Sequence, residues 1–433
     1  MDKLVIEPSG PLRGTVAVSA AKNASLPILA ATLLTEDASV IRQVPHVTDV
    51  VMMLEILRRL GVKVSSGGHG VEVRPGRYEG AQAPYELVRR MRASICVLGP
   101  LIAKQGRAQV SMPGGCVLGS RPVDLHIKGL QALGATINVE HGYIVASAGR
   151  LRGTRVQLSG ANGPSVLATG NVMMAATLAD GVTIIEQAAC EPEVVDLANF
   201  LVGMGARITG QGSPIIRIEG VARLHGTEYG VIPDRIEAGT LMMAAAIAGG
   251  DVTIEGARAE HLGAVIDKLS EANVGIEKFN GAMRVRSDRR LRGVEMTTLP
   301  FPGFPTDLQA QMMALMAVSD GVSVLTERVY PERFMHISEL NRMGAHITRE
   351  GSSAVVKGVV QLSGAPVVGP DLRAAAALVL AGLRAENLTE LRGIEHLDRG
   401  YEGFEDKLRT LGATIRRVTV EPDPGPAKPA VVS

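Results

Sequence analysis

A cysteine in a glycine-rich segment is the first residue whose type and setting suggest chemistry. The stretch SMPGGCVLGSRPVDLH, residues 111–126, places Cys116 directly after two glycines and five residues before Arg121. Glycine adopts backbone angles that other residues avoid, so the segment is predicted to be a loop that presents its thiol. Cys96, in the apolar run RASICVLGPL, is typical of a buried cysteine, and Cys190 is also interpreted as a core residue. The motif alone leaves a second interpretation open, in which Cys116 is a small residue in a tight turn.

Basic residues recur at or near the starts of apolar helix patterns and in the loops after them. Lys22 in SAAKNASLP and Arg373 in GPDLRAAAALVL each adjoin sequence that should be buried. An isolated arginine is usually a solvated surface charge, and that alternative stays open for the others. Helix N-termini and guanidinium groups bind phosphate and carboxylate. Because no Walker or dinucleotide glycine pattern is present, side chains would hold a small, multiply charged anion. The candidates are Lys22, Asn23, Arg92, Arg121, Arg333, Arg373 and Arg399.

Two aspartates stand where apolar helix patterns begin. Asp307 lies in FPTDLQAQ and Asp371 in PDLRAAA. An aspartate at such a place is most often an N-cap that accepts hydrogen bonds from the first turn. If Asp307 faced a cleft instead, it could act as a base or orient a hydroxyl group. The sequence leaves both interpretations open for both residues.

Composition argues against nucleic-acid and membrane partners. The 45 basic and 44 acidic residues give a net charge of +1, aromatics are 3% of the chain, and tryptophan is absent. The uncharged stretch 156–179 contains proline, asparagine and several glycines, so it is a poor spanning helix. The N-terminus has no apolar segment typical of a signal peptide. Three cysteines without metal-like spacing or an even count favour a reducing cytoplasm.

The whole chain repeats a pattern of the form xLxxLGxxI. Its aligned positions are 73, 71, 68, 71 and 68 residues apart. In each copy an apolar helix pattern ends at a glycine, or an asparagine in the fourth copy, which favours the left-handed conformation just after a helix. These six positions are Gly61, Gly134, Gly205, Asn273, Gly344 and Gly412.

A second, almost wholly apolar helix pattern rich in alanine and methionine precedes each copy. Each unit of about 70 residues is therefore predicted to contain strands and two helices, one of them buried on all sides. Six such α/β units grouped three and three give two lobes, with a groove between them as the natural ligand site. A repeat scaffold that only binds partners is the alternative at this point.

Several motifs carry a resemblance to a known family over residues 1–418. The motifs AAKNASLPILAATLLT, MRASICVLGPLIA, PGGCVLGSRPVDLHIKGLQALGA, FPTDLQAQ, ERFMHISELNRMGA and IEHLDRGYEGFEDKLRTLGA occur in the family's order. The chain thus resembles the UDP-N-acetylglucosamine 1-carboxyvinyltransferase (MurA) family of enolpyruvyl transferases. The resemblance implies a two-lobed inside-out α/β barrel with three repeats per lobe. It implies an N-terminal lobe of residues 22–232 and a C-terminal lobe of residues 1–21 plus 233–418. The proline-rich last fifteen residues, 419–433, are predicted to be a disordered tail.

The resemblance also implies the reaction. The enolpyruvyl group of phosphoenolpyruvate would move to the 3′-hydroxyl of UDP-N-acetylglucosamine with release of phosphate, the first committed step of peptidoglycan synthesis. Cys116 matches the residue that protonates C3 or forms a covalent adduct, and both roles stay open. Asp307 would orient and deprotonate the acceptor hydroxyl. The residues matched to phosphoenolpyruvate are Lys22, Asn23, Arg121 and Arg399.

A further set matches the contacts to the nucleotide sugar. This set comprises Asn23, Arg92, Arg121, Pro122, Val123, Asp124, Leu125, Ser165, Val166, Asp307 and Val329. Arg333, Asp371 and Arg373 match residues that surround the site between the lobes. The chain departs from many members at NGPSVLATGN, where Leu167 replaces a glycine and a lysine of some members falls on Gly163. The acceptor is therefore less closely defined than the reaction.

The resemblance implies no metal and no organic cofactor, and we expect a cytoplasmic monomer whose partners are its two small-molecule substrates. Two alternatives remain. One is an enolpyruvyl transferase of the same fold that acts on shikimate 3-phosphate or a free nucleotide. The other is a non-catalytic paralog that binds nucleotide sugars.

The loop position of Cys116 predicts selective alkylation. The epoxide fosfomycin should modify Cys116 with loss of activity, because a presented thiol reacts whereas a buried thiol does not. Peptide mass spectrometry after treatment identifies the modified residue. Label mainly on Cys96 or Cys190 would contradict the assignment of the loop.

Overall fold

The structure, a computed structural model, describes residues 2–67, 70–76, 82–83, 91–112, 123–287 and 290–419. Within these residues the helices come in pairs, two for each of the six copies of the repeat. In chain order they are α1 (Lys22–Ala31), α2 (Thr48–Arg59), α3 (Leu98–Gln105), α4 (Asp124–Ala132), α5 (Val166–Ala176), α6 (Pro192–Gly203), α7 (Arg235–Ala248), α8 (Gly263–Glu271), α9 (Gln309–Met316), α10 (His336–Arg342), α11 (Leu372–Arg384) and α12 (Phe404–Thr410). Short 3₁₀ turns lie at Thr32–Leu34, Arg92–Val97, Ala259–His261, Thr306–Leu308 and Leu397–Arg399.

Six four-stranded sheets accompany these helices in the described part of the chain. Three sheets are formed by residues 39–230, and the first has the spatial order β16 (Glu228–Gly230), β3 (Ser39–Arg42), β5 (Gly70–Arg74), β4 (Lys63–Gly67). The second has the order β6 (Gln82–Ala83), β7 (Arg107–Ser111), β9 (Tyr143–Ser147), β8 (Thr136–Glu140). The third has the order β10 (Arg155–Gln157), β13 (Val182–Glu186), β15 (Ile215–Glu219), β14 (Arg207–Thr209). The fourth sheet has the order β2 (Arg13–Ala17), β17 (Asp251–Glu255), β19 (Ala282–Arg286), β18 (Gly275–Phe279). The fifth has the order β20 (Glu295–Thr297), β21 (Val322–Thr326), β23 (Ser353–Lys357), β22 (His346–Glu350). The sixth has the order β25 (Pro366–Val368), β27 (Thr389–Arg392), β1 (Asp2–Ile6), β28 (Ile415–Thr419). Two short pairs complete the strands, β11 (Ser159–Gly160) with β12 (Gly163–Pro164) and β24 (Leu362–Ser363) with β26 (Ala385–Glu386).

Every four-stranded sheet has the same pairing pattern. The first two strands in spatial order are parallel, and the remaining pairs are antiparallel. The aligned glycine or asparagine follows the second helix of each unit with positive φ in all six copies, at 87°, 98°, 98°, 69°, 86° and 98°. The predicted sixfold α/β repeat is therefore confirmed.

The buried apolar residues form two separate cores. One core contains residues from Ala21 to Ile232, and the other contains residues 4–16 together with Ile236 to Ile415. The helices rich in alanine and methionine lie inside these cores, and α7 is buried along almost its whole length. The predicted lobe boundaries stay a prediction, and the two cores support them.

The chain crosses between the two cores twice, and the two crossing segments lie side by side. The Ala21 N–H donates to the Ile232 carbonyl at 2.8 Å, and the Asp234 N–H donates to the Ser19 carbonyl at 2.8 Å. The carboxyl group of Glu237 accepts from the Ser19 N–H at 2.7 Å and from Lys407 Nζ. Burial raises the pKa of Glu237 to about 7 against the opposing charge of Lys407. This paired connection fixes where α1 begins.

Three expectations need correction. Cys190 is half-buried rather than a core residue, because it lies in the connection before α6. Thr419 ends β28 and its hydroxyl donates to Asp2, so the predicted tail includes one residue of the sheet, and residues 420–433 lie outside the described residues. The apolar pattern around Cys96 begins as the 3₁₀ turn Arg92–Val97 and becomes α-helical only at Leu98.

No helix in the described parts of the chain is long and apolar enough to cross a membrane. The uncharged stretch 156–179 forms short strands and the eleven-residue helix α5, in agreement with its rejection as a spanning segment.

Gly134, which follows α4 with positive φ, allows the energetic cost of a left-handed backbone to be measured without packing effects. A Cβ atom at Gly134 would meet nothing within 4 Å, so Gly134→Ala should lower the free energy of unfolding by about 1 kcal/mol through backbone strain alone. Denaturant unfolding measures the change. Gly263→Ala is the matched control, because its Cβ atom also meets open space but its φ is ordinary. An equal loss in both variants would contradict the prediction.

Candidate functional site

The N-terminus of α1 is the centre of the candidate site. The helix begins directly after the first crossing segment, so Lys22 and Asn23 are its first two residues. Asp234, which caps α7, also accepts from the Lys22 N–H at 3.4 Å. Lys22 is buried, whereas Asn23 is half-buried. Residues from both cores therefore meet at this helix end, where partial positive charge accumulates.

Asp49 holds two of the predicted anion-binding cations together. Its Oδ2 atom lies 3.1 Å from Lys22 Nζ, and its Oδ1 atom lies 2.9 Å from Arg399 Nε. The Asp49 side chain is 4% exposed, at the start of α2, whereas Arg399 comes from the other core. Burial alone would raise the pKa of Asp49, but the charges of Lys22 and Arg399 outweigh it and lower the pKa. The three groups keep one net positive charge near the start of α1.

Asp307 organises a second cluster beside the first. Its Oδ1 atom lies 2.8 Å from Arg333 Nη1, and its Oδ2 atom lies 2.8 Å from Arg373 Nη2 and accepts from Asn23 Nδ2 at 3.5 Å. The two arginine side chains are 5% and 3% exposed, and the carboxyl group is 25% exposed. Burial opposes ionisation of Asp307, yet Arg373 and Arg333 hold its pKa well below the ordinary range. Asp307 is therefore a carboxylate across the physiological pH range.

Asp307 and Asp371, whose roles the sequence left open, have different roles in the structure. Asp371 is an N-cap, because its carboxyl group accepts from the N–H groups of Arg373 and Ala374 at 2.7 and 3.2 Å. Asp307 is not a cap, since it lies inside the 3₁₀ turn Thr306–Leu308 and its carboxyl group faces the arginines. The surface-charge interpretation is wrong for Arg333, which is buried, and Arg373 is buried as its apolar neighbours predict.

The described residues matched to the nucleotide sugar lie at or near the ends of secondary-structure elements. Ser165 caps α5 by accepting from the Ala168 N–H at 3.3 Å, and Val166 lines a small cavity together with Asn23. Val123 precedes α4, whose first residues are Asp124 and Leu125. Val329 lies in the connection after β21, and its N–H donates to Glu327 at 2.8 Å. Gly163 lies beside Pro300 of the other core, and an added Cβ atom would come 3.0 Å from the proline ring.

Several predictions lie outside what the structure describes. Cys116, Arg121 and Pro122 belong to residues 113–122, and the side chain of Arg92 is also outside the described part. The other two thiols can be compared. Burial raises the pKa of Cys96 to about 12, and burial together with the charge of Glu191 raises the pKa of Cys190. Within the described residues, no group of histidine, cysteine and acidic side chains is arranged to hold a metal ion.

Sequence reasoning missed the acidic partners of the site. Asp49 and Glu193 look like ordinary residues in the first turn of a helix, so only their spatial neighbours distinguish them. Glu193 pairs with Arg235 through two contacts of 2.9 and 3.2 Å, which links α6 to α7. Glu191 accepts from the Phe301 N–H at 3.2 Å, and burial raises the pKa of Glu191. These contacts join the two cores next to the Asp307 cluster.

Comparison with known proteins gives consistent results over nearly the whole chain. The family model for EPSP synthase (3-phosphoshikimate 1-carboxyvinyltransferase) matches residues 6–408. UDP-N-acetylglucosamine 1-carboxyvinyltransferase 1 of Caldanaerobacter subterraneus subsp. tengcongensis is 53% identical over 415 residues, which is 96% of this chain and 99% of that protein. UDP-N-acetylglucosamine 1-carboxyvinyltransferase 2 of Carboxydothermus hydrogenoformans is 54% identical over 421 residues, which is 97% of this chain and 100% of that protein.

Solved structures agree with the observed fold. The enolpyruvyl transferase NikO from Streptomyces tendae superposes with a TM-score of 0.87 at 24% identity, covering 97% of this chain and 99% of that one. EPSP synthase from Acinetobacter baumannii superposes with a TM-score of 0.74 at 20% identity, covering 97% of this chain and 100% of that one. The predicted two-lobed α/β architecture is therefore confirmed.

The ion pairs of Asp307 predict a pH-dependent stability difference. Asp307→Asn leaves two buried arginines without their counter-charge, and because the carboxyl group is partly exposed we expect a loss of about 2 kcal/mol at pH 7. The pKa of Asp307 in the folded chain lies below the ordinary value of 3.8, so wild type keeps this advantage above that pH and loses it as the pH falls through the folded-state pKa. Urea unfolding of both proteins between pH 3 and pH 8 measures the difference.

Asp320→Asn provides the matched control. Asp320 pairs with Arg290 at 2.6 Å in the same core, but the two side chains are 49% and 64% exposed, so the change should stay below about 0.5 kcal/mol. Equal effects of the two substitutions would refute the role assigned to burial at Asp307.

Proposed function

Because this chain belongs to the EPSP synthase family of carboxyvinyltransferases, we propose that it transfers the enolpyruvyl group of phosphoenolpyruvate to the 3′-hydroxyl of UDP-N-acetylglucosamine and releases phosphate. One observation carries the choice of acceptor. Relatives named for this reaction are 53% and 54% identical over nearly the full length, whereas the EPSP synthase structure shares 20% identity. The reaction is the first committed step of peptidoglycan synthesis. The free thiols of Cys96 and Cys190 support a cytoplasmic location.

We assign phosphoenolpyruvate to the cations around the start of α1. Lys22 and Arg399 would bind its phosphate and carboxylate groups together with Arg121. Asp49 would act as a positioning residue, because it fixes the Lys22 ammonium and Arg399 guanidinium before the substrate arrives. Such preorganised charges stabilise a transition state without a reorganisation cost.

The chemistry needs a proton at C3 of phosphoenolpyruvate, because the enol phosphate is a poor electrophile until C3 is protonated. Cys116 is the proposed donor, and its alternative role as an adduct former stays open. Protonation creates positive charge at C2, and the acceptor oxygen then forms a bond to C2 and loses its proton. Loss of a proton from C3 and cleavage of the bond between C2 and the phosphate oxygen release phosphate, restore the double bond between C2 and C3, and give the enol ether product.

Asp307 is the proposed partner of the acceptor hydroxyl. Its low pKa makes it a weak base towards an ordinary alcohol, since a general base works best with a pKa near the working pH. The carboxylate can nevertheless accept a hydrogen bond and orient the hydroxyl towards C2. It can also take the proton once bond formation has made that proton strongly acidic. Orientation is thus its main contribution.

The nucleotide sugar would lie between the two cores. The proposed contacts are Asn23, Arg92, Arg121, Pro122, Val123, Asp124, Leu125, Ser165, Val166, Asp307 and Val329. Arg333 and Arg373 would hold Asp307, and Asp371 would hold the start of the helix that carries Arg373. The contacts of Glu191 and Glu193 with the opposite core support an arrangement in which the lobes close over the acceptor.

Phosphate release with three acceptors tests the proposal. Phosphoenolpyruvate is mixed with the protein and UDP-N-acetylglucosamine, shikimate 3-phosphate or UMP, and phosphate is measured over time. We expect release with the nucleotide sugar alone, because the motif around Cys116 is specific to that family. Release with UMP alone would keep the chemistry but change the acceptor, and release with none would favour a non-catalytic paralog.

A further inference from the structure

Glu327 is a fully buried carboxyl group that binds no substrate in the scheme above. It follows β21 directly and accepts four hydrogen bonds. Its Oε1 atom accepts from the Thr298 hydroxyl at 2.7 Å and from the N–H groups of Val329 and Tyr330 at 2.8 Å each. Its Oε2 atom accepts from the Thr306 hydroxyl at 2.9 Å. A carboxylate with four donors is held rigidly, since each donor would lose its partner if the group moved.

Two of these donors, Val329 and Thr306, belong to the proposed acceptor site or adjoin one of its residues. Val329 is one of the residues assigned to the nucleotide sugar, and its main chain is fixed by Glu327. Thr306 adjoins Asp307, and its hydroxyl oxygen also accepts from Arg333 Nη1 at 3.1 Å. The same guanidinium nitrogen lies 2.8 Å from the Asp307 carboxyl group. A continuous chain of hydrogen bonds therefore runs from Glu327 through Thr306 and Arg333 to Asp307.

The fold itself does not require a carboxyl group at this position. The third repeat has the corresponding strand β13, and Gln187 is the residue directly after it. The sheet of β13 has the same parallel and antiparallel pairing as the sheet of β21. The repeat architecture therefore does not explain the buried acidic group, whereas its hydrogen-bonded connection to Asp307 does.

We propose that Glu327 is a positioning residue for the acceptor. It fixes the position of the Val329 main chain relative to the Asp307 carboxylate. This inference rests on the proposed function. The carboxylate suits the task because both of its oxygens accept, so it can hold the 328–330 segment and the Thr306 hydroxyl at once. A glutamine has one accepting oxygen, and with that oxygen on the two N–H groups its NH₂ group would face Thr306. The Thr306 hydroxyl would then lose its acceptor.

Steady-state kinetics of Glu327→Gln tests the proposal. We expect kcat/KM for UDP-N-acetylglucosamine to fall about 10²-fold, the loss typical of a reacting group displaced by about 1 Å, with both kcat and the acceptor KM affected. The KM for phosphoenolpyruvate should change far less than that of the acceptor, because Lys22 and Arg399 are held by Asp49. Among the described hydrogen bonds, the only link from the Asp307 cluster to the phosphoenolpyruvate residues is the 3.5 Å contact with Asn23. A general structural defect would change the kinetics with both substrates, so an effect mainly on the acceptor distinguishes positioning from such a defect.

Substitutions at Thr306 test the link without changing the buried charge. Thr306→Val should lower the acceptor kcat/KM about 10-fold, and Thr306→Ser, which keeps the hydroxyl, should restore it. Thr183→Val is the control, because Thr183 lies in the corresponding sheet of the third repeat and its hydroxyl has no partner in the described part of the chain. Thr183 is fully buried whereas Thr306 is half-buried, so the control is the more severe test of a packing effect. That control should keep the wild-type kinetics. If Glu327→Gln fails to fold, the Thr306 variants decide the question alone.

The outcomes separate this inference from the proposed function. Wild type that releases no phosphate with UDP-N-acetylglucosamine overturns the proposed function and the inference with it. Active wild type together with unchanged acceptor kinetics in Thr306→Val, and in Glu327→Gln where it folds, overturns only the inference. Equal increases in the KM values of both substrates would also overturn it.

Discussion

The arrangement of the site depends on two carboxylates that are each held between cations. Asp49 joins Lys22 of one core to Arg399 of the other, and Asp307 joins Arg333 and Arg373. Like charges this close would repel each other in a buried setting, and the carboxylates allow them to share one site. Each cluster keeps one net positive charge next to the start of α1. A trianionic substrate would therefore meet a cationic surface whose side chains are already oriented.

The paired crossing segments explain how side chains so far apart in sequence meet. Hydrogen bonds between residues 19–21 and 232–234 hold the start of α1 against the start of α7. Elements of both cores thus end at one place, where the Asp49 cluster contains Lys22 and the Asp307 cluster contacts Asn23, the first two residues of α1. Movement of one lobe relative to the other would change the Asp49–Arg399 and Asn23–Asp307 distances together. In the proposed function, lobe closure would therefore assemble both clusters of the site at once.

The repeat supplies the scaffold, and departures from the repeat supply the chemistry. All six sheets share one pairing pattern, yet the residue after the corresponding strand is Gln187 in one copy and Glu327 in another. Asp307 lies inside a 3₁₀ turn where the matching segment of the third repeat has the N-cap Ser165. The third and fifth repeats therefore differ at element ends, where a side chain can change without disturbing the core.

The sequence by itself determined the six α/β repeats, because hydrophobic periodicity and a left-handed residue after each second helix are local properties. It also singled out Lys22, Arg373 and Asp307, since a charge beside an apolar run has few places to lie. It could not pair these charges, and it missed Asp49, Glu193 and Glu327, which resemble ordinary helix-start or strand-end residues. Only the tertiary structure decided that Asp371 is a cap while Asp307 faces two arginines, and that Cys190 is half-buried. Ion pairing depends on which elements meet in space, and that meeting is set by long-range packing rather than by spacing along the chain.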